Sequence, residues 1–183
     1  MEKYIVVIDD IATKWYNFEN KLHKVNGPAI EYYNGDKYWY KEGKLHREDG
    51  PSIEFYDGQK HWYKEGKLHR EDGPAIERDD GHKVWYKEDK IHREDGPAIE
   101  YANGDKHWYV EGKCHRIGLP AIKRLNGDRL WYEDGKLHRE DGPAIEYING
   151  YKEWYLRNKN YTELAFLKIK DSIYDIEMYI KNS

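Results

Sequence analysis

One sentence of residues recurs every 23 positions and limits what this 183-residue chain can become. It is cleanest from His46 to Leu68, HREDGPSIEFYDGQKHWYKEGKL. Prolines fall at Pro28, Pro51, Pro74, Pro97, Pro120 and Pro143, and tryptophans at Trp39, Trp62, Trp85, Trp108, Trp131 and Trp154. Neither series slips. Such a period marks a repeat architecture, in which each unit buries its face only against its neighbours.

Within one unit, Ser52 to Tyr56 predicts a short strand with Ile53 and Phe55 on one face and Glu54 and Tyr56 on the other. Asp57-Gly58 signals a hairpin turn, and Gly58 tolerates a positive φ without Cβ strain. Lys60 to Lys64 is the return strand, with Trp62 and Tyr63 on opposite faces. Glu65-Gly66 turns the chain again before a third extended piece, Lys67-Leu68-His69. A polar loop then leads to the next proline, which, like Pro51, suits the first residue of a strand.

The expected fold is all-β: an elongated antiparallel array of β-hairpin repeats with a small C-terminal helical cap. Residues 1–14 are read as a capping strand, 15–160 as the repeats and 161–183 as the cap. Tyr4 to Ile8 is β-branched and apolar. Trp15-Tyr16 is a partial repeat, offset by one inserted residue. The period stops at Tyr161, and Thr162 is an N-cap candidate. Leu164, Leu167, Ile173, Ile176 and Ile180 fall near helical spacing, with Ile169 and Tyr179 at the edges, and predict one or two short helices over the open end.

Some slots never vary. The isoleucine slot is Ile30, Ile53, Ile76, Ile99, Ile122 and Ile145, and a tyrosine always follows the tryptophan. The leucine slot stays apolar until the end, so Cys114 within it reads as a small core hydrophobe. Other slots change freely. The Phe55 slot carries Arg78 and Arg124, the Tyr56 slot carries Asp79, Leu125 and Ile148, and the His61 slot carries Val84 and Leu130. Between 116 and 134 the variation peaks: Ile117-Gly118-Leu119 replaces Glu-Asp-Gly, and Lys123 replaces the usual glutamate. Ile53, Trp62, Gly58, Pro51 and His69 are therefore frame letters. Specificity is expected in the letters that change.

Charged residues make up 36 % of the chain, but 7 Trp and 18 Tyr argue against disorder. The net charge of -4, with both signs interspersed, disfavours nucleic acid as a partner. A single cysteine excludes an internal disulfide framework. The N-terminus lacks a basic flank and cleavage signal, and no apolar run reaches membrane-spanning length. A cytoplasmic protein that binds no membrane is expected.

The row of one histidine per unit, His23 to His138, is the most tempting chemical feature. Units of two strands at about 4.8 Å each would set these histidines roughly 10 Å apart, too far for one metal ion. A structural role is expected, with each imidazole hydrogen-bonded to the polar loop beside it. The acidic loops such as Glu48-Asp49 lack calcium-loop spacing. They read as solvated turns in which Asp supports the backbone and Arg pairs with Glu. No nucleophile elbow, Walker-type loop or zincin motif occurs. The chain is read as a non-enzyme with no catalytic residue, metal or cofactor.

Trp62 sharing a face with Ile53 would make an apolar stack as the core. The tyrosines Tyr40, Tyr63, Tyr86, Tyr109 and Tyr132 would then be partly exposed, and aromatic residues are enriched in protein interfaces. With the variable residues Arg78, Asp79, Ile117, Arg124 and Leu130 they form the candidate protein-binding set. An aromatic ladder beside lysine rows also suits base stacking, but the glutamates cancel those rows. A small-molecule or nucleotide-sequestering protein and a purely structural scaffold are the alternatives, and the first strand is a candidate surface for a homodimer.

The repeat resembles MORN-type repeats, and more closely the MORN-like repeats of bacterial and phage-like proteins of the YwqK-type antitoxin group. The shared features are the 23-residue period, the Asn34-Gly35-Asp36 turn with its copies at Asn103 and Asn126, the aromatic strand after it, and Gly43-Lys44-Leu45-His46 with its copies at Gly66 and Gly135. The likeness spans roughly residues 15–160. It departs at Arg47 and its equivalents, where those repeats usually carry glycine, and in the added Gly-Pro-Ala-Ile. The resemblance implies a rod or groove of hairpins used for scaffolding or binding, with no catalytic residue. It also implies a phage or bacterial accessory protein that inhibits a host defence or toxin protein.

Overall fold

The computed structural model describes the backbone of residues 3–181 and the side chains of residues 3–172. Each unit folds into two hairpins rather than a three-piece meander. In the second full unit, Ile53–Glu54 and Lys60–His61 make the first hairpin, and Tyr63–Lys64 with Lys67–Leu68 make the second. The first hairpins join side by side, in chain order, into one sheet of 15 antiparallel strands. At about 4.8 Å per strand that sheet extends roughly 65 Å. The second hairpins branch off as separate two-stranded ribbons.

Most of these strands are only two residues long, which is too short to be stable alone. Bonds between units compensate. The Trp62 N–H donates to the Ala75 carbonyl of the next unit at 2.8 Å, and Trp39, Trp85, Trp108 and Trp131 repeat the bond at the same distance. The ribbons are tied in the same way: the Gly66 N–H donates to the Leu45 carbonyl at 2.8 Å and the Gly135 N–H to Cys114 at 2.9 Å. The half-unit at Trp15 joins with the same bond, to Ala29 at 2.9 Å.

Cross-strand register fixes the faces. Ile53 pairs with Tyr38 on one side and His61 on the other, so the isoleucine and His61 slots share a face. Side chains alternate along a strand, which puts Trp62 on the opposite face, away from Ile53. The expected Trp–Ile stack is therefore not the core. Isoleucines meet the ribbons instead: Tyr86 and Ile91 line the same cleft as Ile76, Val84 and Ile99. Ala29, Ala75, Ala98, Ala121 and Ala144, with Ser52 in the same slot, are fully buried.

The two turns differ in kind. At the tip of the sheet hairpin the Gly35 N–H donates to the Tyr32 carbonyl at 3.0 Å, and Gly35 alone takes a positive φ, 102°. In the ribbon turn both central residues are positive, Glu65 at 52° and Gly66 at 84°. That is the type I′ pattern, whose twist matches the flanking strands. Asp89 and Asn158 replace its glycine in two units, and each side-chain carboxylate or amide oxygen accepts from the preceding unit's backbone, at Leu68 and Leu137. Pro51 does not open its strand, which starts at Ile53; its carbonyl accepts from Arg47 at 3.2 Å.

The ends depart from the period. Ile5–Ile8 pairs with Ala12–Tyr16 and forms one sheet edge, its four apolar side chains exposed. At the other end Lys152–Leu156 and Lys159–Tyr161 carry a single helix, Glu163–Lys181. Thr162 caps it, its Oγ1 accepting from the Ala165 N–H at 3.3 Å. Phe166, 2 % exposed, anchors the helix, whereas Leu164 and Leu167 face outward. The side chains of Ile173, Ile176, Tyr179 and Ile180 lie outside the described residues. Among the described residues no helix is long and apolar enough to cross a membrane.

Space around the turn glycines separates two variants. Gly35→Ala and Gly81→Ala both place a Cβ at positive φ, a cost of about 1–2 kcal/mol. A Cβ at Gly35 would also lie 3.2 Å from the Tyr56 Cβ, while one at Gly81 meets nothing within 4 Å. Urea denaturation is expected to show the larger loss for Gly35→Ala.

Candidate functional site

Two surfaces follow from this register. On the tryptophan face each indole is a platform for a cation. The Arg47 guanidinium carbon lies 4.2 Å from the centroid of Trp39, and Arg70, Arg93, Arg116 and Arg139 repeat this over Trp62, Trp85, Trp108 and Trp131 at 4.0 to 4.1 Å. Two carboxylates hold the guanidinium in place. Arg47 Nε donates to Asp49 at 2.8 Å, and its Nη1 donates to Glu54 at 2.8 Å. Arg70 and Arg139 make the same pair of bonds. Arg93 bonds Asp95 at 2.8 Å and lies 3.6 Å from Glu100. The arginine beside each Asp holds the carboxyls of Asp49, Asp72 and Asp95 below the ordinary carboxylate value. The spacing of eight residues from Trp to Arg was the signal in the sequence.

The histidines sit beside this ladder as frame. His46 Nδ1 accepts the Glu65 N–H of the next unit's ribbon turn at 3.2 Å, and its Nε2 lies 3.4 Å from Glu48 of its own loop. His69 repeats the first contact with Glu88 at 3.4 Å. So the imidazole does reach its own loop, but it also secures a positive-φ residue one unit away. Among the described residues no group of three or more His, Cys, Asp or Glu side chains is placed to hold a metal ion.

The second surface is the isoleucine face and its turn edge. Along it Tyr32, Tyr38, Phe55 and His61 contact edge to face, with centroids 5.2 to 6.0 Å apart. Arg78 and Arg124 interrupt this row. Tyr40, Tyr63, Tyr86, Tyr109 and Tyr132 are half-buried, and burial first of all raises their hydroxyl pKa values. Leu130, expected among the contact residues, is buried between Ile122 and Ile145 and belongs to the frame, because its slot faces the isoleucines. Cys114 is also core, and burial pushes its thiol up to about 12.

The turn tips are different. Tyr33, Tyr56, Leu125 and Ile148 are 60 to 75 % exposed. These tips are not floppy: the Asp36 carboxylate accepts the Tyr56 N–H at 2.9 Å, and Asp105 and Asp128 do the same for Leu125 and Ile148. Arg124 joins this edge through Asp128 at 3.3 Å. The backbone N–H of Ile148 is the main reason the Asp128 carboxyl sits below its ordinary value. Asp79 occupies the same edge, exposed beside Gly58. Ile117, at 81 %, stands on the other surface, beside Arg116.

Burial first, then the Arg78 charge, holds the His61 imidazole below the ordinary value of 6.5, and burial does the same at His107. Between that lowered value and 6.5 the unfolded chain binds more protons than the folded one, so stability falls as pH drops through this window. His61→Tyr, copying Tyr38 in the same slot, is expected to flatten the dependence of the urea midpoint on pH between about pH 7 and 5. No known protein-family model matches this chain, and no curated protein sequence matches it.

Proposed function

We propose that this chain is a non-enzymatic protein-binding repeat module. One observation carries the reading: large apolar side chains, Tyr33, Tyr56, Leu125 and Ile148, stand exposed on one turn edge of a frame whose units are hydrogen-bonded together. Rows of exposed apolar groups on a rigid edge are characteristic of docking surfaces. A rigid edge also loses little conformational freedom on binding. The likeness to MORN-like repeats supports an accessory role in a bacterium or phage, with the partner a cytoplasmic toxin or defence protein that this chain blocks.

Affinity capture from bacterial lysate, with cross-linking and mass spectrometry, tests the reading. The wild-type chain is expected to retain one stoichiometric protein, and the Tyr56→Asp, Leu125→Asp, Ile148→Asp triple variant to lose it. Each change sits at an exposed tip, so circular dichroism should be unchanged. Recovery of a small molecule in place of a protein would favour the sequestering alternative.

A further inference from the structure

One unit breaks the tryptophan-face ladder. Where other units carry Glu, Asp and a strand Glu around the stacked arginine, the Trp108 unit has Ile117, Gly118 and Lys123. Both carboxylates that hold Arg47, Arg70 and Arg139 are therefore missing for Arg116. Its guanidinium keeps the Trp108 ring at 4.0 Å and the Pro120 carbonyl at 3.3 Å. Lys123 adds a second cation over the same ring, its Nζ 5.6 Å from the centroid.

The sheet register deepens the imbalance. Elsewhere the outer face alternates in sign, with Glu54 between Lys37 and Lys60. Lys123 instead lies between Lys106 and Arg129. Around the guanidinium two carboxylates are lost (Asp49 to Gly118, Glu54 to Lys123) and one ammonium is gained, a shift of three charges relative to Arg47, while the change of Glu48 to Ile117 is offset by that of its partner Lys41 to Val110. Partial burial lowers the pKa of Arg116, and burial followed by Arg116, Arg129 and Lys106 lowers that of Lys123. Arg116 and Lys123 lack the carboxylate partners that the other units supply, while Lys106 and Arg129 keep Glu100 and Glu146 as their other cross-strand neighbours.

The surroundings define what fits. Ile117 is 81 % exposed and Leu119 51 %, giving an apolar rim. Arg116, Ile117 and Gly118 also wall a cleft of about 320 Å³, together with the buried Trp131, whose indole N–H has no acceptor among the described residues. Across that cleft Glu133 and Glu140 lie 3.1 and 3.3 Å from His138 Nε2, and Asp141 pairs with Arg139 at 2.6 Å.

We propose that the Trp108–Arg116–Lys123 site binds carboxylates from an acidic, partly apolar segment of the partner protein, which take the places that Asp49 and Glu54 occupy around Arg47. This rests on the protein-binding reading. The chain itself shows the required geometry, since the Arg47, Arg70 and Arg139 units fill the equivalent positions with side-chain carboxylates at 2.6 to 2.9 Å. A nucleic-acid backbone suits the site less well. Its evenly spaced charges would run on past this one unit to Glu94 and Asp95 on one side and Glu140 and Asp141 on the other, which a short acidic segment need not reach.

The test uses an acetylated, amidated Glu-Asp-Leu-Glu-Asp peptide, titrated into the full chain at about 150 mM salt and followed at the Trp108 indole N–H by NMR. The matched Gln-Asn-Leu-Gln-Asn peptide and a ten-nucleotide oligothymidine are run beside it. The acidic peptide is expected to bind and the amide peptide not to. Lys123→Glu, which recreates the arginine–glutamate pair of the other units, should weaken binding at least tenfold while raising the melting temperature. Lys64→Glu, on a ribbon, should leave binding unchanged. Absence of acidic-peptide binding, equal binding by Lys123→Glu, or tighter binding of the oligonucleotide would overturn the inference. A protein partner still captured by Lys123→Glu would then leave the protein-binding reading intact, whereas no captured partner at all would remove both.

Discussion

A strand of two residues cannot hold itself. In this chain the bond from the Trp N–H of one unit to the Ala or Ser carbonyl of the next decides everything else. It recurs at 2.8 Å from Trp39 to Trp131, and it turns a series of unstable hairpins into one sheet. Stability in such an array is a sum of nearest-neighbour terms. Within a strand the period cannot slip, because one inserted residue would turn its later side chains to the other face, whereas the residue inserted between Tyr16 and Leu22 falls in a turn and is absorbed there. The buried alanine and serine slot follows from the same bond. That carbonyl comes close to the next strand, and Ser52 is the largest residue there, its hydroxyl accepting from the Tyr63 N–H at 2.6 Å.

Around that spine the protein uses charged and aromatic groups where a larger domain would use a core. Every stacked arginine except Arg116 lies between an indole and two carboxylates, so its stem and plane cover apolar surface while its donors are satisfied. Each histidine of the row from His23 to His138 accepts from a positive-φ turn one unit on. These contacts explain how a chain with only 38 % apolar residues stays ordered. They also explain why the frame letters look like a repeated active site: they are polar residues in structural work.

Because the frame is so regular, a missing part is informative. Ordinary surface variation removes one side chain at a time. Around Arg116 three positions from a loop and a strand change together, and two of them, the Asp49 and Glu54 equivalents, hold the guanidinium in other units. The turn edge carries its variation differently, as Tyr56, Asp79, Leu125 and Ile148 on tips that share an Asn-Gly or Asp-Gly turn. One surface thus offers charge and the other offers shape.

The sequence by itself determined the repeat, its all-β character, the glycine turns, the Thr162 cap and the core place of Cys114. These depend on local spacing and on conformational limits such as the positive φ of Gly58. It did not determine which way the tryptophans face. A strand of two residues shows no alternation long enough to read, so the side holding Trp62 is set by the cross-strand pairing of Ile53 with His61. The place of Leu130 in the core rather than on the surface was decided by the same register. Likewise, Phe166 rather than Leu164 anchors the helix because of where the last two strands present their surface. The replacements at Ile117, Gly118 and Lys123 are plain in the sequence. That they leave one stacked arginine without its carboxylates is a fact of three dimensions, because a loop and a strand meet over a single indole ring.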